Sequence, residues 1–196
     1  MARRIRPYRP AGVVLFHGAG GDRDHRLFLR LEEDLALPVS RINFPYRQKG
    51  PGRRPPDRMP KLIEAVNQAV TEAAETWEVS PKRLVIGGRS MGGRAASMAM
   101  AEGLTVAGLV LLSYPLHPPG KPEKLRVDHL DRLDRPVLVV QGRKDPFGTP
   151  EEFATHLPAI PGPVTEHWVD GGHDPRPSRD DETVDAIAGW LGPSAR

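Results

Sequence analysis

The chain has 196 residues, 38% of them hydrophobic; this excludes an intrinsically disordered protein and suits one domain with a substantial core. It contains no cysteine, which excludes disulfides, thiolate metal sites and a cysteine nucleophile and fits a cytoplasmic protein. The formal net charge is only +3, with arginines spread along most of the chain, so solvated surface is favoured over a nucleic-acid site. No apolar stretch approaches the roughly 20 residues of a membrane span, and the basic start lacks the apolar region of a signal peptide.

Six apolar runs predict strands, and helix-forming segments lie between them. In chain order the strands are expected in GVVLF, VSRINFPY, RLVIGG, VAGLVLLSYP, RPVLVVQG and VTEHWV. Helices are expected at 22–37, 61–78, 91–103, 149–160 and 181–192, and the segment 116–133 is predicted as part loop and part helix. Strands that alternate with helices in this way predict a parallel sheet whose two faces are both covered.

The predicted fold class is therefore α/β, with about six mostly parallel strands and helices on both faces. We expect a single domain over 12–192, preceded by a basic segment at 1–11 and followed by a short tail at 193–196. Only about 20 residues separate the fourth strand from the fifth, which is too few for an inserted lid domain.

The turn after the third strand carries the clearest chemical motif. The pentapeptide GRSMG fits the pattern G-x-S-x-G, with Gly88, Ser90 and Gly92, and it lies between an apolar strand and a helix. Such a tight turn exposes the serine hydroxyl at its apex, and the glycines let the flanking backbones approach closely. Ser90 is therefore predicted as a catalytic nucleophile.

A serine hydroxyl needs a base to take its proton and a carboxylate to orient that base. In hydrolases built on such a sheet, the acid and then the histidine follow the serine along the chain. Asp145 follows the fifth strand and His173 follows the sixth, so both fit this order. Asp170 and Asp174 are rival acids, but they lie too close in sequence to His173 for the usual arrangement on separate loops.

The negative oxygen of the reaction intermediate needs hydrogen-bond donors. The backbone N–H of Met91, directly after the serine, is one expected donor. The second is expected from HGAGG after the first strand, where Ala19 is the first choice and Gly20 the next. His17 precedes these donors and falls outside the serine–acid–histidine order, so a structural role is favoured over a substrate contact.

Four further features near the strand ends have two interpretations each. Arg89 either directs a cation toward the site or pairs with a surface carboxylate. Tyr114 and His117 either contact substrate or belong to a proline-rich turn with a packed aromatic ring, and the second interpretation is favoured. The Arg/Pro-rich loop 47–60, with Arg47, Arg53 and Arg54, is either a mobile flap that attracts anionic substrates or a solvated loop.

The combination of HGAGG, GRSMGG, GRKDPFG and GGHD, in that order, resembles the α/β-hydrolase superfamily over nearly the whole chain. Within it the chain is similar to the small, cap-less branch of dienelactone-hydrolase-like proteins, although its nucleophile is serine and not cysteine. The segment LSYPLHPPGKPEKLRVDHL is similar to bacterial relatives of the testis-expressed and non-specific-lethal-subunit hydrolase-like proteins. The resemblance implies a triad of Ser90, Asp145 and His173.

These observations predict a serine hydrolase that cleaves a carboxylic ester, or a related acyl bond, of a small-molecule substrate through an acyl-enzyme. No metal, organic cofactor or membrane partner is expected. The alternative from another class is a non-catalytic binding or scaffold protein on the same fold. A nucleic-acid-associated protein is a weaker alternative, and the oligomeric state is left open.

Overall fold

The computed structural model describes residues 9–48 and 54–195. Its strands are β1 Gly12–Phe16, β2 Val39–Ile42, β3 Leu84–Arg89, β4 Gly108–Leu112, β5 Val137–Gly142 and β6 Val164–Val169. Its helices are α1 Arg26–Asp34, α2 Pro45–Gln48, α3 Met59–Thr76, α4 Met91–Ala101, α5 Pro150–His156 and α6 Asp180–Leu191. Arg53 and most of the predicted basic segment, 1–8, lie outside the described residues.

The six strands form one sheet in the order β2-β1-β3-β4-β5-β6, and every neighbouring pair is parallel. The predicted α/β fold is therefore confirmed. The chain leaves β1 toward β2 on one side and then continues through β3 on the other side. Ligands of such sheets bind at the carboxyl ends of the strands where this reversal occurs, which here are the loops after β1 and β3.

Apolar side chains cover both faces of the sheet, and consecutive residues of a strand alternate between the two faces. In β1, Val13 and Leu15 belong to one apolar cluster, together with residues of α1 and α6. Val14 and Phe16 belong to the other, together with residues of α3, α4 and α5. Because both faces are covered, the four central strands are apolar along nearly their whole length.

The second strand is shorter than predicted. It ends at Ile42 and α2 begins at Pro45, whereas the sequence analysis extended the strand to Tyr46. Proline has no N–H to donate to the neighbouring strand, so the ladder cannot continue through Pro45. The N–H of Phe44 donates instead to the ring of His17, at 3.2 Å.

The connection from β4 to β5 is short and carries no lid. Within it the structure has a 3-10 turn at Leu130–Arg132, so the helical part of the segment predicted at 116–133 is a single turn.

At the chain's end, Ala195 is buried in the cluster formed with α1 and α6. The division into a domain at 12–192 and two flanking segments stays a prediction. No helix in the described ranges is long and apolar enough to cross a membrane.

Candidate active site

Ser90 lies in the tight turn between β3 and α4. Its backbone has φ 51° and ψ −116°, a left-handed φ that a serine adopts only when its surroundings impose it. A Cβ at Gly88 or at Gly92 would collide with the carbonyl oxygen of Phe16 in β1. A Cβ at Gly93 would lie 2.6 Å from the Gly88 carbonyl oxygen. The glycines of the motif therefore let the strand, the turn and the helix approach one another around Ser90.

The three residues predicted as a triad lie in one chain of hydrogen bonds. The Ser90 Oγ is 2.9 Å from the His173 Nε2, and the His173 Nδ1 is 2.8 Å from the Asp145 Oδ2. Ser90 and His173 are half-buried, whereas the Asp145 side chain is fully buried. The three loops after β3, β5 and β6 thus bring a hydroxyl, an imidazole and a carboxylate into line.

The carboxylate of Asp145 is held by two further donors. Its Oδ1 accepts the backbone N–H of Phe147 at 2.9 Å, and its Oδ2 accepts the amide N–H of Gln141 at 2.8 Å. A buried carboxylate requires such donors to offset its lost hydration. These bonds fix the carboxylate with one oxygen toward the His173 Nδ1, which therefore carries the proton that the bond requires.

The loop that carries His173 is fixed on both sides. The ring of Phe147 stacks on the imidazole, with centroids 4.1 Å apart. The Arg89 Nη2 donates to the carbonyl oxygen of His173 at 2.9 Å and lies 3.4 Å from the Oδ1 of Asp174. Of the two interpretations given for Arg89, the geometry fits pairing with a carboxylate rather than a cation directed at substrate.

The rival acids form ion pairs with residues other than His173. Asp174 pairs with Arg26 at 3.2 Å as well as with Arg89. Burial acts to raise the pKa of Asp174, but the Arg89 and Arg26 cations outweigh it and hold this pKa below its ordinary value. Asp170 pairs with Lys144 at 3.5 Å. Both carboxylates therefore belong to the ion pairs around the loop and not to the serine–histidine chain.

The loop after β1 lies against Ser90 at Gly18, where an added Cβ would be 3.5 Å from the Ser90 Cβ. Two of its carbonyl oxygens accept hydrogen bonds from aromatic side chains. The His17 Nε2 accepts the N–H of Phe44, so the proton is on Nδ1, which donates to the Gly18 carbonyl at 2.7 Å. The Tyr46 hydroxyl donates to the Ala19 carbonyl at 2.9 Å.

These bonds orient the N–H groups that were predicted as donors. In a planar trans peptide the N–H points opposite to the preceding carbonyl, so the N–H of Ala19 points away from the His17 ring and that of Gly20 away from Tyr46. Met91 is the first residue of α4, so its N–H has no partner within the helix. His17 itself is 1% exposed, and burial lowers its pKa. Its hydrogen bonds support the loop after β1, and a substrate contact by His17 stays a prediction.

Comparison with known proteins identifies the family of the chain. The sequence profile of a family described as an alpha/beta hydrolase domain matches residues 9–188. The chain belongs to this family. The finer resemblance, to dienelactone-hydrolase-like proteins and to relatives of the testis-expressed proteins, stays a prediction.

Several solved structures also have a fold similar to that of this alpha/beta hydrolase. A monoacylglycerol lipase of Paleococcus ferrophilus has 18% identity and a TM-score of 0.74, with 93% of this chain and 95% of that chain covered. Est1E of Butyrivibrio proteoclasticus, solved with ferulic acid, has 16% identity and a TM-score of 0.74, with coverage of 96% and 90%. The Bacillus cereus carboxylesterase has 19% identity and a TM-score of 0.61, with coverage of 95% and 89%. At such identities the likeness shows a shared fold.

Tyr114 and His117, the remaining residues predicted as substrate contacts of this hydrolase domain, form hydrogen bonds within the protein. Tyr114 is 1% exposed and its hydroxyl donates to the Arg126 carbonyl at 2.7 Å; burial raises its pKa to about 12. His117 is buried, with its Nδ1 2.8 Å from the Pro118 carbonyl and its Nε2 3.1 Å from the Glu152 carboxylate. The favoured interpretation, a proline-rich turn with a packed aromatic ring, fits both side chains.

Of the arginines singled out in the loop 47–60, the two that the structure describes each have a partner. The Arg47 Nη2 donates to the Asp22 carboxylate at 3.1 Å, Arg54 has a partner, and Arg53 lies outside the described residues. Whether this loop is a flap stays a prediction. No cluster of three or more metal-ligating side chains occurs in the ranges that the structure describes.

Three residues at the site were not singled out from sequence. Phe147 lies two residues after Asp145, so its place in the strand-exit loop was a usable signal. Gln141 is a polar residue at the end of an otherwise apolar strand, and a buried polar group at that position also indicates a site. Tyr46 carried no signal, because its contact with Ala19 depends on the unpredicted helix α2.

Proposed function

We propose that this protein is a serine hydrolase that cleaves a carboxylic ester, or a related acyl bond, of a small substrate through an acyl-enzyme. One observation carries the proposal: a serine in a strained turn, half-exposed at the carboxyl edge of the sheet, is hydrogen-bonded through a histidine to a fully buried aspartate. Family membership supports a hydrolase, and the three residues supply the mechanism.

In the first step the Ser90 oxygen attacks the carbonyl carbon of the ester. Its proton passes to the His173 Nε2, 2.9 Å away, and Asp145 stabilises the imidazolium that forms. The same proton then goes to the leaving alcohol. Water, activated by His173, attacks the acyl-enzyme in the second half of the reaction and regenerates Ser90. No other protein group has to move a proton.

The negative oxygen that develops on the substrate carbonyl takes two backbone donors. Met91 N–H belongs to the first turn of α4, where the helix dipole also favours negative charge. Ala19 N–H comes from the loop whose carbonyls are tied to His17 and Tyr46. Because those carbonyls are already engaged, the loop presents donors rather than acceptors beside Ser90.

The test is covalent labelling with a fluorophosphonate probe, followed by mass spectrometry of the intact protein and of its peptides. We expect one adduct on Ser90 in the wild type and none in Ser90→Ala. Ser97→Ala is the matched control, because Ser97 lies on the same helix and is also hydrogen-bonded to a histidine; this variant is expected to label like the wild type. A wild type that stays unlabelled, or a label on another residue, would favour the scaffold alternative.

A further inference from the structure

Two arginines, Arg94 and Arg126, lie on segments that backbone hydrogen bonds connect to the loops of the proposed nucleophile and base, and neither has a carboxylate partner in the described ranges. Arg94 lies one turn after Ser90 on α4, and its N–H donates to the Ser90 carbonyl oxygen at 3.0 Å. Arg94 is the fourth residue of α4, so its side chain leaves the helix in the turn that follows Ser90. Its Nε is buried and has no hydrogen-bond partner among the residues that the structure describes. A buried donor without an acceptor costs free energy, which a bound acceptor would recover.

Arg126 is connected to the His173 loop through a second segment of the chain. The backbone N–H of Arg126 donates to the Leu116 carbonyl at 2.8 Å. His117, which follows Leu116 in the chain, donates its backbone N–H to the Phe147 carbonyl at 3.3 Å. Phe147 is the ring that stacks on His173. Arg126 is therefore linked to the loop that positions the proposed base through the intervening residues Leu116 and His117.

The charge around these two arginines differs from that around their neighbours. Arg47 and Arg89 each lie within ion-pair distance of a carboxylate, whereas no such pair involves Arg94 or Arg126 in the part of the chain that the structure describes. Burial lowers the pKa of Arg126, and the nearby Arg94 cation lowers it further. Two cations close enough to repel each other are stabilised when an anion binds between them.

We propose that Arg94 and Arg126 form an anion subsite beside Ser90 and select esters that carry a carboxylate or phosphate group. The inference rests on the proposed function and names its substrate class. It places the anion preference on these two arginines and not on Arg89 or the loop 47–60, for which an attraction of anionic substrates was one of two interpretations. Guanidinium groups suit this role because they bind carboxylate and phosphate oxygens with two parallel hydrogen bonds.

The experiment compares two esters of nearly equal size, monomethyl succinate, which is an anion, and dimethyl succinate, which is neutral. The readout is the ratio of their kcat/KM values. We expect the wild type to prefer the anion, and Arg94→Gln and Arg126→Gln each to lower this preference roughly tenfold, as for a lost charge-assisted contact. Added salt should lower the wild-type preference. Arg135→Gln is the matched control, because this exposed arginine precedes β5 at the opposite edge of the sheet and pairs with Asp134.

A second arm separates this inference from the proposed function. Binding of monomethyl succinate and of inorganic phosphate to Ser90→Ala is measured by calorimetry, with and without Arg94→Gln or Arg126→Gln, so no hydrolysis is needed. Loss of binding in these double variants supports the subsite even if the chain hydrolyses neither ester. Hydrolysis with equal kcat/KM for the two esters, or an anion preference that survives in both arginine variants, overturns the subsite and leaves Ser90 as nucleophile. If Arg94→Gln does not fold, Arg126→Gln decides.

Discussion

Among the described residues two serines are hydrogen-bonded to a histidine, and the pair with the shorter distance is not at the candidate site. Ser97 Oγ lies 2.7 Å from the His129 Nε2, whereas Ser90 Oγ lies 2.9 Å from the His173 Nε2. Both serines belong to the same element: Ser90 caps α4, and Ser97 lies two turns further along it. The distance between hydroxyl and imidazole therefore does not identify a nucleophile.

The direction of the hydrogen bonds distinguishes the two pairs. The Ser97 hydroxyl donates to the Arg94 carbonyl at 2.9 Å, so its single proton is used and it accepts from His129. His129 is thus a donor to its serine, which is the reverse of what a general base must do. The Ser90 pair is polarised by a third group, the Asp145 carboxylate, and no carboxylate hydrogen-bonds to His129 within the described ranges.

Access and strain also differ. Ser97 is 0% exposed and has helical backbone, whereas Ser90 is half-exposed and has φ 51°. The strain at Ser90 is imposed by the close approach of β1, β3 and α4, and it turns the hydroxyl toward the edge of the sheet where ligands bind. Under the proposed function, reactivity depends on the acid, the exposure and the turn together, whereas the buried Ser97 pair has only a structural role.

The largest expected effect comes from removing each hydroxyl in turn. Ser90→Ala should fold normally and lose ester hydrolysis by a factor on the order of 10⁶. Ser97→Ala should keep kcat/KM within a few-fold but unfold more easily, by about 1–3 kcal/mol, because two buried polar groups lose their partner. Ester hydrolysis and urea unfolding of both purified variants measure this. The opposite result, activity lost with Ser97 and kept with Ser90, would reverse the two assignments.

The second-largest expected effect distinguishes Asp145 from Asp174 as the acid that orients His173. Asp145→Asn should lower kcat about 10⁴-fold, because an amide does not stabilise the imidazolium and favours the wrong tautomer. Asp174→Asn should lower kcat by less than tenfold, since this carboxylate pairs with Arg89 and Arg26 and not with the imidazole. Steady-state kinetics on one short ester measure both. A larger loss in Asp174→Asn would move the role of the acid to that residue.

Whether a feature of the fold or site can be predicted from the sequence depends on whether its causes are local. The strands, their parallel arrangement and the order of Ser90, Asp145 and His173 follow from apolar runs and from the rule that strand ends share one edge of the sheet. The ends of β2 and the short helix α2 were missed, because they depend on a proline and on a bond from Phe44 to His17, 27 residues away.

The side chains of the loops were the least predictable part. Tyr114 and Arg89 both stand next to the site in sequence, yet one is buried in the core and the other is turned under the His173 loop. Which way a loop residue turns depends on partners from distant segments, and no periodicity records them. The pairing of Ser97 with His129, 32 residues apart, has the same cause. Arg94 and Arg126 likewise belong to different elements and are brought together by tertiary folding alone.

The smallest expected effect tests the structural role of the second pair through pH. Burial lowers the pKa of His129 to about 4 from an ordinary value of 6.5, so the folded protein holds this histidine neutral. Between these two values the unfolded chain takes up a proton that the folded chain does not. The stability from the neutral imidazole is therefore complete above pH 6.5 and is lost as the pH falls toward 4, by roughly 2 kcal/mol at pH 5.

His129→Gln keeps a side-chain N–H for Ser97 but cannot titrate. Its free energy of unfolding should therefore fall less than that of the wild type between pH 7.5 and pH 5, by about 2 kcal/mol. His17 and His25, whose pKa values burial also lowers, are present in both proteins, so their contribution cancels in the difference. Urea unfolding at the two pH values measures it. Parallel pH profiles would show that His129 is not held neutral, and the distinction between a reactive and a structural pair would then rest on exposure and the acid alone.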